Sequence, residues 1–526
     1  APEEQADNVA EVNGQGFPTL QAAIDAANGA EITLLADVKD CARITLSQGE
    51  TVNINLNDCD IGFVQNGYFY IQHGTLNLTG NGEVYEQSPY YGAVLMKGGA
   101  EDVSNYSVVT VGENVTLCGW AGLFIDQNGN NNYGIVANVY GTLKSVKDTS
   151  GAGGHALYVN GTIKATEGNV PKITLDGATL NTEAGNGIYL AGYTETSIRN
   201  STITSSSEGS TGIEIRAGKL TITDSTVTGG SGEYEGGPNG NGSTSSNVAL
   251  AVVQHTTKLP LEVTVNGGTF SGGAAFIQAD EQNNGDEAIA KIKIDIQAGK
   301  FEGQVYSENV ENFISGGTFS DTENITSENY LTDSVKLENN EVTPLGPTDE
   351  ASVAQVGSTY YKSLSAAIAA AKDGGTVTLL KDNETTDTIV VRENLTLDLH
   401  GCTLTLSQPQ SKEPQFVVSS TGDLTIRDTL GNGKMDITGS LGVKSGKLTL
   451  ESGTIESDYY GIYVYDNGTA VINGGTINSK YAGLSGNNTT GDMNFEVNGG
   501  KLNTRYGPAI YMPGQMTLKI TGGTLN

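Results

Sequence analysis

Apolar residues alternate with polar ones in short runs along most of the chain, and these runs share one eight-residue pattern. The pattern reads apolar, any, apolar, any, any, small, any, apolar. Its first three positions are typical of a strand with one buried face, the small residue of a tight bend, and the last position of the next buried strand. Copies begin at Ile54, Ile173, Thr196, Leu220, Val263 and Ile294, and later at Leu397, Leu448, Ala470, Phe495 and Leu518.

A second pattern, Gly-apolar-any-apolar, is interleaved with the first, as at 187–190 and 461–464. One repeat therefore holds three short strands and three turns, and the apolar residues that close successive copies, such as Leu180 and Ile203, lie 23 positions apart. A β-propeller blade needs about 40–50 residues, roughly twice this period. Parallel crossovers are right-handed in nearly all proteins. We therefore predict an all-β chain of right-handed parallel β-helices with three-strand coils of about 22–25 residues.

Two segments, 19–28 and 363–372, have apolar residues at helical rather than strand spacing. Thr19 and Ser363 open these segments and have hydroxyl oxygens that accept a hydrogen bond from a free helix N–H, so we read them as N-caps. A glycine follows each segment closely, as is typical of a helix end. Because a long run of strand repeats follows each helix, we expect each to be the N-terminal capping helix of a β-helix domain.

The duplicated helix divides the chain into two domains that repeat one layout. We place the first domain at residues 1–343, a short proline-containing linker at 344–350 and the second domain at 351–526. Within the first domain the step from one repeat to the next is about 20 residues too long at 229–247. A long insertion at a solenoid corner favours a binding face, and a tolerated flexible loop is the alternative.

The chain is strongly acidic, with 60 Asp and Glu against 28 Lys and Arg and a formal net charge of −32. Nucleic acids and anionic membranes bind basic patches, so the charge argues against both as partners. No apolar run is long enough to insert into a membrane. These properties favour a soluble extracellular protein, either secreted or attached to the cell wall, and we expect a monomer.

The cysteine and histidine residues do not suggest a cofactor site. Cys59 and Cys402 fill the small position of the repeat, so we expect buried thiols there. A disulfide between Cys41 and Cys59 is an open alternative. Neither a Cys-x-x-Cys motif nor a histidine cluster supports a metal site. We expect no cofactor; the acidic composition permits Ca²⁺, but no motif specifies it.

Some parallel β-helix proteins are polysaccharide lyases or glycosidases, so the motifs of these enzymes are relevant to this chain. His73-Gly74 lacks the Asn-Thr-Asp, Asp-Asp and Arg-Ile-Lys companions of a polygalacturonase-like site. Glycoside hydrolysis needs two carboxylates about 5–10 Å apart. Glu456 and Asp458 are the best local pair because they share one face if the segment is extended. Such pairs also arise by chance in an acidic chain, so we predict no catalytic residue and keep this pair as the enzyme alternative.

Tyrosines recur at the outward positions of successive coils. Coils stack about 4.8 Å apart, so five tyrosines of the second domain are expected to line one strip that suits sugar stacking. Tyr158 and Tyr189 of the first domain occupy the same outward position and are also expected to face solvent. The alternative is that the stacked tyrosines only brace the solenoid. The predicted strip consists of Tyr460, Tyr463, Tyr481, Tyr506 and Tyr511.

Segment 353–380 and the Gly-Gly-Thr-Phe and Gly-Gly-Thr-Ile turns carry a family resemblance. They resemble the repeats of large adhesin-type surface proteins of Gram-positive gut bacteria, which have pectate-lyase-like parallel β-helices. The resemblance implies a fold and a surface location and carries no catalytic motif. We therefore expect a secreted or cell-surface adhesin-like protein that binds host or dietary glycans or a host surface protein. A glycoside hydrolase or polysaccharide lyase on the same scaffold is the alternative.

Overall fold

Consecutive strands along the chain join three parallel stacks in turn, and this order repeats through most of the sequence. The computed structural model describes residues 8–87, 91–127, 129, 132–161, 167–239, 242–408, 414–486 and 492–526. It divides into two compact units, Ala1–Thr332 with Leu337–Thr343, and Asp333–Lys336 with Pro344–Asn526. The predictions of an all-β chain and of long stacks of parallel strands are confirmed.

The first unit opens with an antiparallel hairpin, Ala10–Val12 and Gln15–Phe17, whose first strand also pairs with the first stack. The strands of its first stack are Glu31–Leu34, Thr51–Asn55, Thr75–Thr79, Ser107–Val111, Ile135–Val139, Lys172–Asp176, Glu195–Arg199 and Gly218–Thr223. The second stack contains Val38–Cys41, Ile61–Phe63, Gly82–Glu86, Val115–Gly119, Thr142–Ser145, Thr179–Thr182, Thr202–Thr204, Ser225–Thr228 and Gly317–Phe319. The third contains Ile44–Leu46, Phe69–Gln72, Gly92–Lys97, Ala121–Gln127, His155–Gly161, Ile188–Leu190, Thr211–Ile215 and Val248–Val253.

Two long strands, Leu261–Ala279 and Ile292–Ser307, contribute to all three stacks of the first unit in succession. Glu235–Gly236 and Ser245–Ser246 form a small separate antiparallel pair. Two further short strands, Val335–Glu338 and Glu341–Pro344, lie where the chain passes from one unit to the other.

The second unit repeats the layout, with a hairpin of Ala354–Val356 and Thr359–Tyr361. Its first stack contains Gly375–Leu379, Asn394–Asp398, Asp423–Arg427, Lys447–Leu450, Thr469–Ile472, Met493–Val497 and Met516–Ile520. The second contains Asn383–Thr385, Thr403–Leu406, Lys434–Ile437, Thr454–Ser457, Thr476–Ser479, Lys501–Thr504 and Thr524–Leu525. The third contains Ile389–Val391, Phe416–Val418, Leu441–Lys444, Ile462–Tyr465, Leu484–Gly486 and Ile510–Tyr511.

Within the described ranges three helices interrupt the strands: α1 (Leu20–Ala27), α2 (Asp286–Ile289) and α3 (Leu364–Ala370). The two predicted N-caps are confirmed, because Thr19 Oγ1 accepts from the N–H of Ala22 at 3.2 Å and Ser363 Oγ from that of Ala366 at 3.1 Å. The sequence patterns did not indicate α2. It is a single turn of four residues, too short to show helical periodicity.

The core consists of the inward apolar positions of the eight-residue pattern, stacked in register. In the second unit Leu397, Ile426, Leu450, Ile472 and Val497 occupy one such register position, and all are completely buried. A copy of the pattern spans a corner, since Leu450 ends a first-stack strand and Ile455 lies in the next second-stack strand. Gly453, the small residue between them, has φ +90°, which a residue with a side chain rarely adopts.

Two expectations about individual positions need correction. Cys59 and Cys402 are half-buried rather than buried, because the corner turns leave their side chains partly open; all four cysteines are free thiols. The predicted linker, residues 344–350, belongs to the second unit: Leu345 is buried, and its N–H donates to the carbonyl of Ser334 at 2.9 Å.

Candidate functional site

The candidate site lies where the chain of the second unit turns from its second stack into its third stack. Ser457, Ser479 and Thr504 occupy one register position at the ends of three successive second-stack strands. The turns after them lead to Ile462, Leu484 and Ile510, which pair in the third stack. Parallel pairing on both sides of the corner therefore places the three turns one above another.

Two residues beyond each of these strand ends the turn carries a tyrosine, giving a column of Tyr459, Tyr481 and Tyr506. The N–H of Tyr481 donates to the carbonyl of Tyr459 at 3.2 Å. The ring centroids of Tyr459 and Tyr481 are 5.3 Å apart, and those of Tyr481 and Tyr506 are 6.5 Å apart. Tyr459, Tyr481 and Tyr506 are 38%, 38% and 62% exposed. The rings are therefore close to one another and also open to solvent.

Two further tyrosines occupy an outward position in the neighbouring third stack. Tyr463, Ser485 and Tyr511 follow one another in register. The small side chain of Ser485 is completely buried between these strands, whereas Tyr511 is 45% exposed.

Tyr460 joins the column to the third stack. Its ring centroid lies 4.2 Å from that of Tyr459 and 6.1 Å from that of Tyr463. Burial, and then a side-chain hydrogen bond with Tyr459, raise the pKa of Tyr460 to about 12. This phenol therefore ionises only at a higher pH than an ordinary tyrosine does.

We call Tyr459, Tyr460, Tyr463, Tyr481, Tyr506 and Tyr511 the tyrosine surface. All five residues of the predicted strip lie on it, and the structure adds Tyr459, which sequence reasoning did not include. The prediction counted backwards from the small residue that opens each third-stack strand, which selected Tyr460. Counting forwards from Ser457, Ser479 and Thr504 selects Tyr459 instead. The two counts differ because Gly461 lies four residues after Ser457, whereas Ala482 and Gly507 lie three residues after Ser479 and Thr504.

A ladder of side-chain amides flanks the tyrosine column. Asn478 Nδ2 donates to Glu456 Oε1 at 2.7 Å, Asn503 Nδ2 to Asn478 Oδ1 at 2.8 Å, and Asn526 Nδ2 to Asn503 Oδ1 at 2.6 Å. In three of these repeats the ladder residue precedes the turn tyrosine by three positions: Glu456 before Tyr459, Asn478 before Tyr481 and Asn503 before Tyr506. An amide that uses one of its two N–H groups in the ladder has a second for another acceptor.

The residue just before each column tyrosine is charged: Asp458, Lys480 and Arg505. Lys480 Nζ lies 5.4 Å from the ring centroid of Tyr481, and Arg505 Cζ lies 4.9 Å from that of Tyr506. Both distances are within the range of cation–π attraction. The charge along the column thus changes from negative beside Tyr459 to positive beside Tyr506.

Glu456 and Asp458, the pair kept as the enzyme alternative, have different surroundings. Glu456 is half-buried and is held by the ladder bond from Asn478, whereas Asp458 is exposed in the turn. Their arrangement is that of one ladder end and one surface charge.

The aromatic residues of the first unit form a different kind of group. Trp120, His155, Tyr158 and Tyr189 pack ring against ring, with neighbouring centroids 5.0 to 5.8 Å apart. Tyr189, expected to face solvent, is only 2% exposed. It points outward from its stack, but other parts of the chain cover it, so these rings brace the fold.

The cover over Tyr189 includes the predicted insertion, whose described residues, 229–239 and 242–247, we call the strap. Under it lie Glu214 and Arg216, both completely buried. Glu214 accepts from the N–H of Thr244 at 2.9 Å and from the hydroxyls of Ser243, Thr244 and Ser245. Arg216 donates to the carbonyl of Gly242 at 2.7 Å and to the phenol of Tyr189 at 3.0 Å. The flexible-loop interpretation of the insertion is therefore wrong.

The described residues contain neither a metal-binding cluster nor a membrane-spanning helix. No group of three or more His, Cys, Asp and Glu side chains is placed to hold a metal ion. None of the described helices combines the length and the apolar character that crossing a bilayer requires.

Comparisons of this chain with protein-family models, with curated proteins and with solved structures found no match.

Proposed function

We propose that this is a secreted or cell-surface, adhesin-like protein that binds glycans through the tyrosine surface of its second unit. The observation that carries the proposal is the column of Tyr459, Tyr481 and Tyr506, whose rings are exposed on three successive coils. Tyr189 of the first unit is only 2% exposed, whereas these rings are open to a ligand from solvent.

The chemistry of the surface suits a sugar. The face of a phenol ring covers the C–H groups of a pyranose, while hydroxyls and side-chain amides beside it bond the sugar hydroxyls. Tyr481 and Tyr506 supply the faces, and Asn478 and Asn503 supply amides on the same coils. One extended oligosaccharide is therefore able to contact several coils at once.

The same proposal includes the scaffold. We infer that the three stacks of each unit close into a right-handed parallel β-helix, with α1 and α3 capping the two helices at their N-terminal ends. The order of strands through the stacks supports the coil, and the burial of Leu20, Ala23, Leu364 and Ala367 supports packing of both helices on apolar residues. We expect the protein to act as a monomer, with no nucleic acid partner, no membrane insertion and no cofactor.

Binding of the full chain to a glycan array, before and after the double change Tyr481→Ala and Tyr506→Ala, tests the proposal. Each stacking ring contributes on the order of 1 kcal/mol, so the double variant should bind roughly tenfold or more weakly. Tyr140→Ala with Tyr306→Ala is the matched control, since these rings are 38% and 36% exposed in the first unit.

Three results would contradict the proposal. If the double variant keeps full affinity, or fails to fold while the control folds, the tyrosines are not a binding surface. If the parent binds a host protein and no glycan, the partner class is wrong. If a polysaccharide yields new reducing ends or unsaturated products on incubation with the parent, the protein is an enzyme.

A further inference from the structure

The tyrosine surface carries two cations that lie against tyrosine rings rather than against carboxylates. Lys434, Lys447 and Lys519 each pair with a carboxylate oxygen at 3.2 Å or less. Lys480 and Arg505 contact the tyrosine rings instead. Within the described ranges, neither has a carboxylate within ion-pair distance.

Two stacked cations at one surface concentrate positive charge on a strongly acidic chain. Acidic residues outnumber basic ones by 60 to 28, so a surface cation has many carboxylates to pair with. Two successive coils nevertheless place a cation at the same register position, beside an exposed ring. Backbone bonds fix that stacking, since Lys480 N–H donates to the carbonyl of Ser457 and Arg505 N–H to that of Ser479, both at 3.1 Å.

We propose that the tyrosine surface selects carbohydrate that bears an anionic group, and that Lys480 and Arg505 bind this group. The proposal rests on the glycan binding proposed above and specifies its ligand class. A carboxylate or sulfate accepts hydrogen bonds from ammonium and guanidinium groups, and charge-assisted bonds of this kind are stronger than neutral ones. The shared chemistry is an anionic sugar, whether a uronate, a sialate or a sulfate ester supplies the charge.

The column also gives the ligand a direction. Asp458 takes the position of Lys480 and Arg505 on the preceding coil, and Glu456 lies on that same coil. An anionic group is repelled there and attracted at Tyr481 and Tyr506. The acidic residue of a bound oligosaccharide therefore lies over the later coils, and a neutral residue lies beside Tyr459.

The test uses the full chain and a uronic acid tetrasaccharide, with its fully methyl-esterified form as the neutral probe. In the charge variant Lys480→Gln with Arg505→Gln, affinity for the acidic probe should fall at least tenfold, and affinity for the neutral probe should stay within twofold. Lys447→Gln with Lys519→Gln changes the net charge equally in the first stack and should leave both affinities unchanged. Acidic binding by the parent should also weaken between 50 and 500 mM NaCl, because added ions screen the attraction.

The outcomes separate this proposal from the one on which it rests. If the parent binds both probes equally, or if the charge variant keeps its acidic affinity, selection of an anionic group is wrong and glycan binding stands. If the parent binds neither probe nor sialylated or sulfated oligosaccharides, the inference fails; glycan binding fails with it only if the neutral sugars of the array also do not bind. A sulfated or sialylated sugar that binds more tightly than the uronate, and loses affinity in the charge variant, supports the proposal and identifies the source of the charge.

Discussion

His155 is a titratable residue in surroundings that disfavour its charged form. Its ring lies 5.0 Å from the ring centroids of both Tyr158 and Tyr189 and 5.8 Å from that of Trp120. Burial lowers the pKa of His155 from 6.5 to about 4. The N–H of Asn186 donates to Nδ1 at 3.3 Å, which leaves the proton of the neutral ring on Nε2.

This environment predicts a pH dependence of stability. In the unfolded chain His155 takes up a proton below about pH 6.5, whereas in the folded chain it does so only near pH 4. The unfolded state therefore binds more protons in this window, and the free energy of unfolding falls as the pH falls. In His155→Phe, which keeps a ring but cannot titrate, the loss between pH 7 and pH 4 should be smaller by on the order of 2 kcal/mol.

Denaturant unfolding of parent and variant at several pH values measures this difference. Carboxylates titrate in the same range, but they do so in both proteins and cancel in the comparison. Parallel pH profiles for the two proteins would show that protonation of His155 is not linked to folding.

For a single residue, the sequence predicts the face of the strand on which its side chain lies better than it predicts how exposed that side chain is. Alternation correctly indicated that Tyr189 and Tyr463 point outward from their strands, because side chains alternate between the two faces. It gave no information about the strap that covers Tyr189, since a covering segment comes from elsewhere in the chain. Tyr459 was omitted because Gly461, the small residue from which its turn was counted, lies one position farther from the preceding strand than Ala482 and Gly507 do from theirs.

Among the structural elements, the strap is anchored on two buried charged side chains. Glu214 and Arg216 are two residues apart on one outward face, and both are completely buried. Arg216 Nε is 3.9 Å from Glu214 Oε1, while the carboxylate is mainly bonded by the hydroxyl and amide donors of the strap. A buried charge that loses its partner is costly, so each of these residues depends on the other and on the strap.

Glu214→Ala should therefore destabilise the first unit by about 3–5 kcal/mol, because it leaves the Arg216 guanidinium buried without a counter-charge. Glu208→Ala, an equal charge change at an exposed position, is the control and should cost less than about 0.5 kcal/mol. Limited proteolysis provides a second measurement, in which cleavage within 229–247 should be faster in Glu214→Ala. Unchanged cleavage together with an unchanged unfolding transition would show that the carboxylate does not hold the strap.

The elements themselves divide into those that a local pattern predicts and those that it does not. The eight-residue pattern and the two N-caps placed the strand stacks and helices α1 and α3, since burial of alternate residues and capping are properties of a few neighbouring positions. The sequence located the strap as an insertion, but the packing of the strap depends on Glu214. Glu214 occupies an unrestricted position between two apolar residues, so the sequence pattern does not indicate its role as an anchor.

At the scale of the whole molecule the chain crosses between its two units more than once. Residues 333–336 belong to the second unit and 337–343 to the first, although the sequence suggested one boundary near 343. Asp333 Oδ2 accepts from the N–H and hydroxyl of Ser363, the N-cap of α3, at 2.9 and 2.6 Å. Lys336 pairs with Asp349 at 2.8 Å, and Val335 is buried. A boundary drawn from the duplicated pattern alone misses this segment, because it precedes the repeat.

A fragment of residues 333–526 should accordingly be more stable than a fragment of residues 344–526. The longer fragment keeps the Asp333 bonds, which orient the N-cap of α3, and buries Val335; together these should be worth about 2 kcal/mol of unfolding free energy. Asp333→Ala within the longer fragment should remove about half of that gain, while Glu384→Ala, at an exposed position of the second unit, serves as its control. Thermal and denaturant unfolding of the four fragments measures the differences. If the two parent fragments unfold at the same temperature and denaturant concentration, residues 333–336 contribute nothing to the second unit, and the boundary near 343 is the energetically meaningful one.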